Sequence, residues 1–189
     1  MTFALQCSKT NQRPLDRKSG LTTVYILLGS NLGDRAAQLA QARQLLAQQV
    51  GTVVRASSLY ETAAWGVADQ PDFYNQVLEI ATTLAPEAVL DRILALEHQL
   101  GRVRFQRWHE RTIDIDILYY GEEVMDTPRL QIPHPELQNR RFTLAPLAEI
   151  APDWRHPVLE VTQAQLLAAC TDPLPVRLVG EVGQQHNQS

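Results

Sequence analysis

Two aspartates separated by one residue follow a run of arginines in the middle of the chain. Asp114 and Asp116 alternate with isoleucines between Thr112 and Tyr120, and a period of two with β-branched residues predicts a strand. Both carboxylates then share one face about 7 Å apart, where they repel by roughly 2.4 kcal/mol at an effective dielectric of about 20. Mg²⁺ relieves such repulsion and is usually held by one or two carboxylates plus substrate phosphates. The pair therefore indicates a magnesium site, with a solvated strand face as the alternative.

The arginines in front of this strand indicate a site for phosphates. Guanidinium groups offer forked donors that suit phosphate oxygens, and Trp108 adds an aromatic face for a base or a guanidinium. The chain as a whole is acidic, with a net charge of -4 and a pI of about 5.7. A nucleic-acid surface normally makes a domain basic, so a local anion site is favoured, with a solvated loop as the alternative. The arginines are Arg102, Arg104, Arg107 and Arg111.

Length and composition predict one domain with a tail at each end. The 189 residues are 44% hydrophobic, which suffices for one core over residues 24–171. Residues 1–23 are expected to form a flexible extension and residues 172–189 a C-terminal tail. Cys7 and Cys170 have neither a disulfide framework nor metal-ligand spacing. No apolar run could span a bilayer or serve as a secretory signal, so we expect a cytoplasmic monomer without nucleic-acid or membrane partners; an organellar transit peptide is the alternative for the basic leader.

The order of predicted elements is β-α-β-β-α-β, which is the ferredoxin-like unit of the α+β class. Asp34 is a good N-cap and Pro86 a good first helical residue. The predicted strands and helices are Val24–Leu28, a helix after Asp34 to about Gln48, Thr52–Tyr60, Phe73–Thr82, Pro86–Leu100 and the strand that carries the aspartates. An appended strand and helix region follows, with Ile132–Pro135, a short helix near Leu144–Ile150, and Thr162–Cys170.

A glycine-rich turn from Gly29 to Gly33 follows the first strand but matches no common nucleotide motif. No Lys-Ser/Thr pair follows it, and the chain's two lysines, Lys9 and Lys18, precede the strand. A Walker A site and a dinucleotide fingerprint are therefore excluded. The simpler interpretation is a tight connection between strand and helix that needs positive φ.

Seven ordered segments resemble the 6-hydroxymethyl-7,8-dihydropterin pyrophosphokinase family over roughly Val24 to Pro157. The resemblance implies a ferredoxin-like fold and transfer of pyrophosphate from ATP to a pterin alcohol, with release of AMP, in folate biosynthesis. It therefore implies ATP and the pterin alcohol as small-molecule substrates. The segments are Tyr25–Asp34, Ser57–Thr62, Asp69–Asn75, Gly101–Arg104, Arg107–Trp108, Arg111–Ile117, and Ile132–Pro135 with Asn139–Phe142.

Position by position, the resemblance also implies the roles of individual residues. Asp114 and Asp116 correspond to ligands of two Mg²⁺ ions that bridge the ATP phosphates, and Asp116 also assists catalysis. Arg102 and Arg111 correspond to the arginines that stabilise charge during attack on the β-phosphorus. The implied ATP contacts are Glu97, Arg104, Trp108, Arg129, His134 and Arg140, of which Arg104 and Trp108 belong to the family's closing loop. The implied pterin contacts are the polar Thr62 and Asn75 and the aromatic Phe73 and Phe142.

Each of these residues has a simpler alternative role. The two phenylalanines would usually be core residues, Asn75 a polar group at a strand edge, His134 a turn residue, and Glu97 a charge on a helix surface. Two other classes of protein also remain as alternatives. A ferredoxin-like nucleotide sensor would bind ATP without pterin, and an RNA-binding module of the same topology would carry paired aromatics on its central strands.

The chain also departs from the family at several positions. His109 and Glu110 stand where Gly-Pro is usual, and the arginine loop is short and lacks a lysine. Ala63 and Ala64 replace prolines, and Phe73 replaces a frequent tyrosine. We expect altered closure of the loop and the loss of one hydrogen bond, which is worth about 1 kcal/mol.

Overall fold

Antiparallel pairing of six strands organises the part of the chain that the structure describes. The computed structural model describes residues 20–63, 71–101 and 112–179. The sheet has the order β5-β1-β4-β3-β8, and β2 also pairs with β4. The elements are β1 (Thr22–Ser30), α1 (Arg35–Gln49), β2 (Thr52–Ala56), β3 (Tyr60–Thr62), β4 (Phe73–Thr82), α2 (Pro86–Gln99), β5 (Asp114–Tyr120), β6 (Met125–Asp126), β7 (Gln131–Ile132), a 3₁₀ turn (Leu137–Asn139), α3 (Arg141–Ile150), α4 (Gln163–Ala169) and β8 (Val176–Leu178). The described chain is therefore a mixed α and β fold around an antiparallel sheet.

Local signals place most of these elements where the sequence predicts them. The Asp34 carboxylate caps α1 by accepting the Ala37 N–H at 3.0 Å, and α2 begins at Pro86. The predicted strand Thr52–Tyr60 is wrong as one element, because it divides into β2 and β3. Ser57 lies at the break, where its Oγ accepts the backbone N–H of Val77 at 3.0 Å. A side chain that bonds to the backbone in this way replaces part of the regular ladder.

Two hydrophobic cores cover the two faces of the sheet, where the sequence analysis predicts one core. The first core packs β1, β4 and β5 against α1 and α2. The second core packs the other face against α3 and α4. The predicted alternation in β5 holds through Ile117, but Leu118 and Tyr119 are both buried. Both belong to the second core, because the register between β1 and β5 shifts between Tyr25 and Ile26, and an extra residue in one strand interrupts the alternation.

The sheet extends past both predicted domain boundaries. β1 begins at Thr22, within the predicted extension, and β8 lies within the predicted C-terminal tail. Val176 pairs with Thr62 of β3, and Leu178 pairs with Tyr60. This short strand joins the sheet by pairing with β3, which is distant in sequence, so its place depends on tertiary contacts. Within the described ranges, no helix has the length and apolar character needed to span a membrane.

Buried His156 closes a turn beside the second core. Its Nδ1 accepts the backbone N–H groups of Val158 and Leu159 at 3.2 Å each, and its ring lies edge-on to Tyr119 at 5.6 Å. Burial lowers the pKa of His156 below the ordinary histidine value. A proton on Nδ1 would also remove both hydrogen bonds, so the folded state favours the neutral ring.

We expect His156 to make stability depend on pH. Unfolded histidine takes up a proton below about pH 6.5, whereas the folded side chain binds one only at lower pH. The contribution of His156 to the free energy of unfolding should therefore be complete above about pH 6.5. It should be lost as the pH falls below that value. In the variant His156→Asn, whose Oδ1 can accept the same N–H groups without titrating, this fall should be smaller. Denaturant unfolding between pH 5 and 8 measures both slopes, and equal slopes would contradict the prediction.

Candidate active site

Gly29, near the end of β1, lies at a point where three strands present polar and aromatic groups. It is paired with Asn75 of β4 on one side and Asp114 of β5 on the other, and directly opposed residues share a face. A Cβ added at Gly29 would lie 3.3 Å from Asn75 Oδ1, 3.8 Å from Phe73 Cδ1 and 3.9 Å from Asp114 Cβ. Because Gly29 has no side chain, its backbone is open between the Asn75 amide and the Asp114 carboxylate. We call this open backbone surface the Gly29 floor.

The two aspartates lie on this same face of β5. Asp114 is opposite Gly29 and Asp116 is opposite Leu27, and both side chains are half-buried. Within the described ranges, no group of three or more His, Cys, Asp or Glu residues could hold a metal ion by itself. Two carboxylates on one face are too few to surround a metal ion. They suit Mg²⁺ that is bound partly by the protein and partly by the phosphates of a substrate.

Glu97 of α2 supports the backbone between the two aspartates. Its side chain is 2% exposed, and its Oε1 accepts the backbone N–H of Ile115 at 3.0 Å. β5 is at the edge of the sheet, so this amide points to α2. The carboxylate is therefore not on a helix surface, and its contact within the described chain fixes the strand that carries the aspartates.

A buried hydrogen bond links the polar residues at the other side of Gly29. Asn75 Nδ2 donates to Thr62 Oγ1 at 2.8 Å, and both residues are at most 4% exposed. This network orients the amide so that Oδ1 faces the Gly29 floor, where it can accept a hydrogen bond from a ligand.

Two half-buried phenylalanines lie on this face as well. Phe73 is opposite Thr62 in the ladder between β3 and β4, and Phe142 is in the first turn of α3, beside the second core. Neither ring is fully enclosed in a core. Part of each aromatic surface therefore remains accessible to a ligand.

A histidine and an arginine precede α3, and the arginine charge acts on the histidine ring. The backbone N–H of His134 donates to the Leu118 carbonyl at 3.0 Å, and its Nδ1 accepts the Glu136 N–H at 3.2 Å. Burial and then the positive charge of Arg140 lower the pKa of His134, while the carboxylates of Glu136 and then Asp114 oppose this shift. The ring is therefore neutral at pH 7 with its proton on Nε2, which makes it a donor near the carboxylates.

Other predicted site residues are not brought into this arrangement. Arg129 is exposed on the hairpin between β6 and β7, and its guanidinium pairs with Asp91 of α2 at 2.6 Å. Four predicted residues lie outside the described residues, namely Arg102, Arg104, Trp108 and Arg111.

Comparison with known proteins identifies the family. A family model described as 7,8-dihydro-6-hydroxymethylpterin-pyrophosphokinase (HPPK) matches residues 25–152. The chain belongs to the HPPK family. The match begins within β1, runs past the end of α3, and includes all the site residues named above.

Curated relatives of the HPPK family match most of the chain. The 2-amino-4-hydroxy-6-hydroxymethyldihydropteridine pyrophosphokinase of Haemophilus influenzae is 46% identical over 134 residues, which is 70% of this chain and 84% of that protein. The enzyme of the same name from Pseudomonas aeruginosa is 45% identical over 148 residues, which is 78% of this chain and 91% of that protein.

Solved structures show the same fold at low sequence identity. A crystal structure of Plasmodium falciparum HPPK-DHPS with pteroate has a TM-score of 0.65 and 17% identity. The match covers 79% of this chain and 42% of that chain, so our chain spans less than half of that longer protein.

Sequence reasoning missed two features of this candidate site. Gly29 was interpreted with Gly33 as part of a tight turn, but positive φ occurs at Gly33 alone of the two. Gly29 lies in β1, where its lack of a side chain matters, and strand register is needed to see this. The contact between Glu97 and Ile115 was also missed, because no local signal links a helix residue to a strand amide 18 positions later.

Proposed function

We propose that this chain transfers pyrophosphate from ATP to 6-hydroxymethyl-7,8-dihydropterin on the sheet face around Gly29. Family membership supports the reaction, and the convergence of Asn75, Phe73 and Asp114 at Gly29 supports the location. A pterin presents hydrogen-bonding groups along one edge and a hydroxymethyl group at the far end. The site likewise has an amide at one side of the floor and a carboxylate pair at the other.

The pterin ring binds between the two phenylalanines. Asn75 Oδ1 accepts a hydrogen bond from a ring-edge N–H, and Thr62 holds the amide in that orientation through the 2.8 Å bond. Phe73 and Phe142 offer stacking surfaces, because aromatic rings are attracted to one another in offset arrangements beyond the effect of burial alone. The hydroxymethyl group then points to the carboxylates of β5.

The phosphates of ATP bind over Asp114 and Asp116. These carboxylates would hold two Mg²⁺ ions, which when bound neutralise phosphate charge and lower the pKa of the substrate alcohol. His134 donates from Nε2 to a phosphate oxygen, and Arg140 adds a positive charge beside it. Glu97 keeps the two aspartates in register through the Ile115 amide.

Catalysis in this proposal consists of positioning and charge stabilisation. The hydroxymethyl oxygen attacks the β-phosphorus, the bond from that phosphorus to the α–β bridging oxygen breaks, and AMP leaves with that oxygen. Asp116 assists removal of the alcohol proton. Arg102 and Arg111 stabilise the charge that develops on the transferred group, and Arg104 and Trp108 close over ATP.

The ferredoxin-like topology belongs to the same proposal. The strand order β5-β1-β4-β2, with α1 and α2 on one face, supports it. β3, β8, α3 and α4 are then additions to that unit. A cytoplasmic monomer without nucleic-acid partners remains the expectation from the sequence.

Release of AMP from ATP, measured with and without the pterin alcohol, tests the function. We expect release that depends on the alcohol and yields its diphosphate. Calorimetric binding of ATP with Mg²⁺ but not of pterin would instead indicate a nucleotide sensor.

Replacing Arg102 with alanine is expected to lower turnover much more than ATP affinity. A group that stabilises only the transition state contributes to kcat and leaves ground-state binding nearly unchanged. We expect a fall in kcat of about a hundredfold with a small change in the dissociation constant of ATP. Single-turnover kinetics and equilibrium binding measure the two quantities, and equal losses in both would count against this role.

A further inference from the structure

We propose that Arg35 is a positioning residue that sets the geometry of the pterin site from the opposite face of the sheet. The inference rests on the proposed function of Thr62, Phe73 and Asn75. Arg35 is the first residue of α1, and its side chain is 24% exposed. A positive charge at a helix N-terminus is unfavourable for the helix itself, so its contacts elsewhere explain it.

Arg35 connects the ends of two neighbouring strands. Its Nη1 lies 3.1 Å from Glu61 Oε1 in β3 and donates to the Asp72 carbonyl, just before β4, at 2.6 Å. Its guanidinium carbon also lies 3.7 Å from the centre of the Tyr74 ring. One planar group therefore makes an ion pair, a hydrogen bond and a cation–π contact.

The contacts of Arg35 with Glu61, Asp72 and Tyr74 are called the Arg35 clamp below. Strand alternation places this clamp on the opposite face of the sheet from the proposed pterin contacts. Glu61 is opposite Tyr74, and Thr62 is opposite Phe73. Successive residues in a strand point to opposite faces, so the Arg35 contacts are on the α1 face and the proposed pterin contacts are on the other. β3 has three residues, and so short a ladder fixes its own register weakly. Arg35 adds a cross-link where that ladder ends.

A second contact from the same turn supports this role. Asn31 is 2% exposed, and its Nδ2 donates to the Pro71 carbonyl at 3.5 Å. Asn31 in the turn and Arg35 at the start of α1 thus bind two successive carbonyls, those of Pro71 and Asp72. The glycine-rich segment from Gly29 to Gly33 matches no nucleotide-binding motif. Its place in the structure indicates instead that this turn helps to fix the start of β4.

Arg35→Ala should weaken pterin binding selectively. We expect the KM for the pterin alcohol to rise roughly tenfold or more, while the KM for ATP changes by less than about twofold, because small displacements of positioned groups are costly. Arg35→Lys keeps the charge but not the fork, and its pterin KM should lie between those of Arg35→Ala and the unsubstituted protein. Arg43→Ala, an exposed change on the same helix, should alter neither KM and serves as the matched control.

The outcomes separate this inference from the proposed function. Equal rises in both KM values, or an unchanged pterin KM with normal AMP release, would overturn the role of Arg35 alone. Absence of pterin-dependent AMP release from the unsubstituted protein would overturn the proposed function and this inference with it. If Arg35→Ala unfolds at assay temperature, the pterin dissociation constant of Arg35→Lys decides, and an unchanged value overturns the inference.

Discussion

Asp116→Asn should lower kcat about a thousandfold, which is the upper range for removing one preorganised electrostatic group from an active site. The amide has nearly the same shape but no negative charge, so one of the two carboxylates opposite Gly29 and Leu27 is lost as a metal ligand. Folding should be preserved, because the side chain is half-buried and its removal also ends the repulsion from Asp114. Turnover at saturating ATP, Mg²⁺ and pterin measures the effect, and thermal unfolding tests the fold.

Asp126→Asn is the matched control for this change. Asp126 is exposed in β6, and its Oδ1 accepts a hydrogen bond from Gln131 Nε2 at 2.8 Å. The same chemical substitution there should leave kcat unchanged. Near-normal turnover of Asp116→Asn at saturating Mg²⁺ would remove the carboxylate pair from the proposed reaction.

Gly29→Ala should lower kcat/KM for the pterin alcohol about a hundredfold, since misplacement by an ångström can cost that much. The new methyl group would lie 3.3 Å from Asn75 Oδ1, so the amide must shift by a few tenths of an ångström. The methyl group would also occupy the floor on which the ring is proposed to lie. ATP binding should be retained, and initial rates at varied pterin with calorimetric titration of ATP test the two expectations.

Ser30→Ala is the control for this second variant. Ser30 follows Gly29 on β1, and alternation directs its side chain to the first core. Its Oγ is buried without a hydrogen-bond partner among the described residues, so its removal should cost little. If Gly29→Ala leaves the pterin KM unchanged, or if ATP affinity falls equally, the floor is not the pterin site.

Several parts of the fold were readable from the sequence because they depend on neighbours a few residues apart. The alternation around Asp114 and Asp116 predicted a strand with both carboxylates on one face, and the register with Gly29 and Leu27 agrees. Asp34 and Pro86 marked helix starts through capping and fixed φ. These are properties of a short segment, so tertiary packing did not alter them.

For the candidate site, the sequence predicted which residues take part but not how they are arranged in space. The family resemblance named Asn75, Asp114 and Glu97, but it did not show that the first two meet at Gly29 or that the third bonds to the Ile115 amide. The roles of Arg102 and its neighbours rest on the sequence alone and stay predictions. Contacts of this kind depend on which strands pair and in which register.

The sequence by itself determined most of the helices and strands, the carboxylate pair on one strand face and the family. Tertiary structure decided the division into β2 and β3, the pairing of β8, the second core, and the clamp made by Arg35. Periodicity and capping are set within one or two turns of chain. Strand register, pairing at a sheet edge and burial on the second face of the sheet depend on contacts between segments that are distant in sequence. A local sequence pattern therefore does not predict them.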